Sequence, residues 1–336
     1  MRFVAIEKTV PGMKLAKAIY DSYDRVLLNS GKILNGELIS KLSVRGIPGV
    51  YIDDELTRNI VVQEVISNEL RLQAVNSIRE FNIDSTINIS HKIVDQLLDS
   101  DSIMLDLIDL RTYDDYTYRH SVNVAVLTTI VGIAMNYKYD TLVNLCLAAI
   151  LHDIGKIQID TDILNKTTTL TEEEFSIIKE HPRIAHNLLK DNWDISSTTK
   201  IGILLHHENE DGSGYPMGLK GKEIHKFAKI IHVCDVYDAL TSKRPYKEPY
   251  SPAESAEYLM GGGGTLFDKN IVEIFLGYVP LYPKGTSVLL SNGMEAIVVE
   301  NYKNNVLRPK VMYLSGEEID LSSEDNFRNI TIVGLI

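Results

Sequence analysis

The sequence predicts a mainly α fold: an all-α helical bundle in the middle, a small N-terminal α+β module and a small C-terminal β module. Three observations carry this expectation. Apolar residues between about 103 and 278 recur at helical spacing or fill whole turns, most densely over residues 122–135 and 142–151. Helix punctuation lies inside the same stretch: Thr171-x-x-Glu174 is a capping box, and Pro182 suits the first turn of a new helix while disfavouring helical geometry just before it. From about residue 283 the pattern changes to short apolar runs around Asn292-Gly293, the dipeptide that favours a hairpin turn.

In chain order, residues 1–60 mix turn signals, Pro11-Gly12 and Ser30-Gly31, with short strands at 26–28 and 50–52 and a short helix at 34–42. Residues 61–100 read as a helical connector. Val62, Ile66 and Leu70 recur at i+4, and Asp84-Ser85 is the expected cap of a second helix. Residues 101–282 form the helical domain, with further helices at 201–207 and 230–240 and a break at the four glycines 261–264. Residues 283–336 form the β module, with strands at 287–290, 296–299, 310–314 and 330–335.

The length of 336 residues suits about two domains. Hydrophobic residues at 44% and charged residues at 24% exclude a disordered or collagenous chain. A net charge of −12 argues against a sequence-independent grip on nucleic acid polymers, which needs basic surface. It leaves room for a small anionic substrate held by metals or by a local basic pocket. Cys146 and Cys234 are too few for a disulfide framework and read as core thiols. No leader is expected, because Met1-Arg2-Phe3 runs straight into charged residues. The most apolar run, residues 124–135, is shorter than the ~18 residues of a membrane span. The expected location is cytoplasmic, with no membrane partner.

Histidine carries the chemical signal. His152-Asp153 and His206-His207 each close an apolar helix, Asp235 sits inside the otherwise apolar helix 230–240, His120 opens the most apolar helix, and His181 stands at the Pro-marked junction. One histidine at a helix end is ordinarily a cap or a satisfied core residue. A carboxylate inside an apolar helix needs a partner, and imidazole with carboxylate suits first-row transition metals. Adjacent helix positions point about 100° apart, so His206 and His207 are not expected to reach one ion together; they could serve two neighbouring ions, or one ion and a bridging group. Together these residues point to a site of two metals. His91, His186, His225 and His232 lack such company and read as surface or structural residues. Lys156 follows Asp153 by one turn, as a point charge for phosphate. The loop 208–216 contains Gly212 and Gly214, which let the backbone approach a ligand. Arg244 and Lys247 could clamp anionic oxygens.

These blocks resemble the HD phosphohydrolase superfamily, and its HD-GYP branch in particular. The matching residues are Tyr118-Arg119-His120-Ser121, His152-Asp153-Ile154-Gly155-Lys156, Leu164-Asn165-Lys166, His181-Pro182, His206-His207-Glu208-Asn209-Glu210-Asp211-Gly212-Ser213-Gly214-Tyr215-Pro216, and the run from Asp235 to Ser242 followed by Arg244-Pro245-Tyr246. They occur in family order over roughly half the chain. The resemblance implies an HD-type helical bundle and a metal-dependent cyclic di-GMP phosphodiesterase in bacterial second-messenger signalling. It implies metal ligation by His120, His152, Asp153, His181, His206, His207 and Asp235, with Asp153 bridging two divalent ions, iron or manganese by family habit. A metal-bridging hydroxide would attack phosphorus. Asp153 and Lys156 would be the catalytic residues, and Lys156, Gly214, Tyr215, Arg244 and Lys247 would meet the substrate.

One position departs from the pattern. Some members place a Glu four residues before the first His and bind a third metal, whereas this chain has Tyr116 there. A third metal is therefore not expected, and the product, linear pGpG or GMP, stays open. Two other functions stay open as well: a catalytically weak receptor of cyclic dinucleotides, and an HD hydrolase acting on another cyclic dinucleotide. The terminal modules leave a homodimer or a signalling partner protein open.

Overall fold

The architecture is that of a computed structural model, which describes residues 1–21, 25–60, 65–99, 116–166, 168–242, 249–303, 305–323 and 327–336, with the backbone alone for Tyr116 and Thr117. The described residues divide into two compact units, one of residues 1–65, 116 and 279–336, the other of residues 66–99 and 117–278.

The first unit joins the two ends of the chain. Strand β1 (Arg2–Ala5) pairs antiparallel with β4 (Gly49–Ile52), placing Phe3 opposite Tyr51. Strands β2 (Ile19–Tyr20) and β3 (Val26–Leu28) form a second ribbon, and α1 (Gly36–Val44) is capped by the Asn35 side chain. Leu15, Ile19, Leu34, Leu42, Ile47 and Val50 fill the core between them. The C-terminal segment is a five-stranded antiparallel sheet of β5 (Ser287–Leu290), β6 (Glu295–Glu300), β7 (Lys310–Tyr313), β8 (Glu318–Asp320) and β9 (Ile332–Leu335), in the order β8-β7-β6-β5-β9. Gly293, with φ of 80°, turns the β5–β6 hairpin, a conformation that side chains disfavour. Phe3 N–H donates to Gly285 O at 2.7 Å, and Phe3 and Tyr51 bury together with Ile297. These contacts make one unit of segments that read in sequence as separate modules. The signal lies in tertiary pairing, which no local pattern records.

The second unit is helical. Residues expected as a connector supply α2 (Asn68–Arg79) and α3 (Ile83–Leu98). Asn82, rather than Asp84-Ser85, caps α3 by accepting from Ser85 N. Asn, Asp and Ser all cap well, so the choice falls to the end of the preceding helix, where Phe81 takes a φ of 50°. Helix α4 (Tyr116–Ala134) buries every side of its middle turns, Val122, Val124, Ala125, Val126 and Leu127 being at most 1% exposed. Helix α5 (Tyr139–Leu151) is equally apolar and packs against α3.

Beyond a 3-10 turn at Ile154–Gln158 come α6 (Thr161–Leu164) and α7 (Glu172–Ile178), the latter opened by the expected capping box of Thr171 and Glu174. Helix α8 (His181–Leu189) begins with Pro182 in its first turn. Helix α9 (Ser197–Leu205) crosses α5 and α10 (Lys226–Thr241) through Gly202, where an added Cβ would lie 3.0 Å from Phe227 Cβ and 3.4 Å from Ala148 Cβ. Helices α11 (Pro252–Gly261) and α12 (Lys269–Tyr278) cover α10. No described helix is long and apolar enough to cross a membrane.

One close approach positions the site. At Gly155 an added Cβ would stand 2.0 Å from His181 O and 2.7 Å from Ala185 N, so the 3-10 turn presses directly on the start of α8. Gly155→Ala should push α8 away and destabilise the chain by ~1–3 kcal/mol, the usual cost of overpacking. A urea unfolding midpoint equal to the parent's would show that α8 yields freely.

Candidate metal centre

Helix ends deliver most of the site. His152 is the residue that ends α5, and Asp153 follows it into the 3-10 turn. His206 ends α9, with His207 next in the chain, and His181 is the first residue of α8. Two helix faces complete the set: His120 on α4, and Asp235 on α10. His120, His152, Asp153, His181, His206 and Asp235 are all buried, and His207 is partly exposed.

The side chains converge on Asp153. Its Oδ1 lies 3.2 Å from His181 Nε2, and its Oδ2 lies 3.5 Å from His152 Nε2 and 3.9 Å from His120 Nε2. Ligand atoms cluster within 4.8 Å of one another in two groups that share this carboxylate: Asp153 with His181, His206 and His207, and Asp153 with His120 and His152. A third such group joins His152, His206 and Asp235. Asp235 Oδ1 stands 2.9 Å from His120 Nε2, and His181 Nε2 stands 3.2 Å from His206 Nε2.

The donors fit divalent cations. His152 Nδ1 lies 2.7 Å from Ala149 O, His181 Nδ1 2.7 Å from Ile178 O, and His206 Nδ1 2.6 Å from Ile203 O. A carbonyl only accepts, so each ring carries its proton on Nδ1 and turns the Nε2 lone pair inward. His152 Nε2 and Asp153 Oδ1 are buried without a hydrogen-bond partner, as ligand atoms awaiting a cation would be.

Protonation agrees with this. Burial holds His152 below its ordinary value and, helped by neighbouring histidines, His206 well below it; burial also holds His207 well below, against the pull of Asp235. For Asp153 burial acts in the opposite sense, yet Lys156, then His152 and His181, hold the carboxyl well below the usual range. Burial is likewise outweighed at Asp235, chiefly by His120. Neutral imidazoles and ionised carboxylates are the forms that bind metal. His120 is the exception: burial would lower it, but Asp235 and Asp238 raise it to about 9. A cation on Nε2 would take the place of that proton.

A loop walls the cluster. Tyr215 stacks on His207 with centroids 4.6 Å apart, and its backbone N–H donates to His207 O at 3.1 Å. The chain can close this tightly because residue 214 is glycine; a Cβ there would lie 2.3 Å from Asn209 N. The buried Glu208 carboxylate accepts from Met217 N at 2.6 Å, Gly218 N at 3.1 Å and Leu219 N at 2.9 Å, pinning the far side of the loop. Arg183 donates to Pro216 O at 2.7 Å from outside. Burial, then Asp235 and Asp153, push the Tyr215 phenol upward, so it keeps its proton.

All seven residues expected as ligands are thus brought together, and Lys156 joins them with Nζ 2.6 Å from Asp153 Oδ2. Arg244 and Lys247 lie outside the described residues, as does the side chain of Tyr116. His225 caps α10 and His91 contacts the Tyr139 hydroxyl, both apart from the cluster. His232 is buried and faces Asn209 Oδ1. Sequence reasoning gave no role to two carboxylates beside the cluster, Glu208 and Asp238. Asp238 repeats Asp235 one turn later on an apolar helix, a signal that was present; Glu208 acts on backbone groups nine to eleven residues away, which no spacing rule reveals.

Residues 107–271 match the family described as HD domain. The chain is 34% identical over 253 residues to cyclic di-GMP phosphodiesterase PA4108 of Pseudomonas aeruginosa, covering 74% of this chain and 61% of that protein. It is 31% identical over 218 residues to cyclic di-GMP phosphodiesterase PdeB of Borreliella burgdorferi, covering 64% and 57%. To a cyclic di-GMP phosphodiesterase of Thermotoga maritima it is 40% identical over 164 residues, covering 48% and 45%. The chain spans less than two thirds of the length of each of these relatives.

The loop geometry makes a test. Glu208→Gln removes the charge that gathers three backbone donors, and should cost at least about 1.5–3 kcal/mol of stability. It should also open residues 209–218 to limited proteolysis. A variant with the parent's unfolding midpoint and cleavage pattern would show that the loop holds itself.

Proposed function

Starting from the HD domain that this chain carries over residues 107–271, we propose that it is an HD-GYP type cyclic di-GMP phosphodiesterase working with two divalent metal ions. The observation that supports this most is the shared carboxylate: Asp153 belongs to both groups of ligand atoms, as a bridging ligand must. His181, His206 and His207 would hold one ion, and His120 and His152 the other, with Asp235 beside the second group. The expectation that His206 and His207 would not share an ion assumed helix geometry for both, but α9 ends at Leu205 and His207 lies past its cap. Imidazole and carboxylate donors suit iron or manganese. Bound there, the ions would neutralise phosphate oxygens and supply a water acidified to near neutral pKa.

The chain's own residues do the rest. Lys156, with 27% of its side chain exposed, stands where the buried cluster meets solvent and would hold a phosphate oxygen or the leaving oxygen. Tyr215 and the close-set Gly214 would form the wall on which the substrate rests, with the protonated phenol as a hydrogen-bond donor. Arg244 and Lys247 would clamp the second phosphate. Breaking one phosphodiester bond with one water gives linear pGpG, and breaking the second gives GMP. A third ion is not proposed, since the residue one turn before His120 is Tyr116, a poor ligand beside carboxylates. The catalytic domain is proposed to span residues 101–282, with 61–100 leading into it and the modules 1–60 and 283–336 carrying a homodimer contact or a signalling partner in the cytoplasm.

The decisive experiment loads the full chain anaerobically with iron or manganese, counts ions and analyses products from cyclic di-GMP. The expected results are about two ions per chain, conversion to pGpG, and loss of activity on chelation. Replacing both His152→Ala and Asp153→Ala should strip most metal and reduce hydrolysis to the assay background, with the helical circular dichroism largely kept. Full activity in that double variant, or hydrolysis undiminished by chelation, would sink the reading.

A further inference from the structure

We propose that Asp238 is a positioning residue for the metal centre: it fixes His120 in the tautomer and ring orientation that turn Nε2 inward. This rests on the two-metal reading above. The inference comes from a difference among the buried histidines. His152, His181 and His206 each find an Nδ1 acceptor in the carbonyl three residues earlier, at Ala149, Ile178 and Ile203. Those carbonyls are available because they lie in the last turns of α5, α7 and α9, where no later helical N–H claims them.

His120 is placed differently. It lies in the second turn of α4, with fourteen residues of helix still to follow, so the carbonyls around it are committed to N–H groups four residues on. A partner for its Nδ1 comes from another element. Asp238 supplies it, with Oδ2 2.7 Å from Nδ1. The carboxylate is buried at 7% exposure, and Ser242 Oγ donates to the same oxygen at 3.3 Å.

Asp235 and Asp238 are three residues apart on α10 and so share a face. His120 lies between them, Nε2 towards Asp235 at 2.9 Å and Nδ1 towards Asp238 at 2.7 Å. Asp238 is in none of the groups of clustered ligand atoms, whereas Asp235 is. One helix face thus carries a ligand carboxylate and, one turn on, a carboxylate that acts only through a ligand histidine. Without Asp238 the ring could rotate, or carry its proton on Nε2, and either change removes the lone pair from the cluster.

The test uses the full chain and manganese alone, titrated against a competing chelator and followed by the electron paramagnetic resonance of the ion. Asp238→Asn should weaken one of two manganese sites by about 10–100-fold and leave the other unchanged. In a His120→Ala background the same substitution should add no further loss, which a purely structural contribution would not mimic. Should Asp238→Asn fail to fold, nitrogen NMR of the zinc-loaded parent decides, with the His120 proton expected on Nδ1. Unchanged manganese affinity, an equal loss in the His120→Ala background, or metal on Nδ1 would each overturn the proposal. A parent chain that binds no manganese would overturn the two-metal reading and this inference with it, which separates the two failures.

Discussion

A carboxylate buried among histidines is the constraint around which the helical unit is arranged. Asp153 is 3% exposed, and an ionised group at that depth is costly unless cations and donors surround it. Lys156 meets part of this requirement, reaching back from the following turn to 2.6 Å, and the protonated His120 stands 3.9 Å from the same oxygen. The inward lone pairs of His152 and His181, 3.5 and 3.2 Å from the carboxylate, would meet the rest only with a cation between them. The near-contact of Gly155 with α8 follows from the same demand, because His181 reaches Asp153 only if α8 presses on the turn. Packing and chemistry thus meet in the short stretch 152–156, which carries His152, Asp153 and Lys156 and the close approach at Gly155.

Helix ends suit this work for a general reason. A histidine at the end of a helix finds a free carbonyl one turn back, which sets the tautomer, and it projects beyond the helix axis toward neighbouring elements. His152 and His206 gain both from one position. The cost is that the site has to be assembled where several helices terminate together, which explains the buried apolar sides of α4 and α5 and the close crossing at Gly202. The polar centre is held by an apolar frame that leaves the helix ends little freedom to move.

Much of this was legible in the sequence. Apolar periodicity marked α4, α5, α9 and α10, the Thr171 capping box marked α7, and Asn292-Gly293 marked the β5–β6 hairpin. The seven clustered side chains were legible because histidines at helix ends and a carboxylate in an apolar helix are each anomalous, and the anomalies coincide. Pairing across the chain was not legible. The contact of Phe3 with Gly285 and the burial of α3 against α5 depend on partners hundreds or tens of residues away, and strand β8 is three residues long with one buried side chain. Asp238 was missed for another reason: its pattern is the same as that of Asp235, and only three-dimensional neighbours separate a ligand from the group that orients one.

Charge gives the arrangement a further consequence. The chain carries −12 overall, a field that opposes any phosphodiester approaching it. Within the cluster, Asp153 and Asp235 are ionised, and with the Asp238 carboxylate they outnumber the two cations, Lys156 and the His120 imidazolium, which Asp235 and Asp238 raise to about 9. Without ions the site is therefore slightly negative and has no electrostatic hold on an anion. Two divalent ions, one displacing the His120 proton, would turn it into a site of net charge about +2 in a surrounding of low dielectric, where each charge acts strongly. A donor set of this charge would hold an anion strongly only once cations were bound.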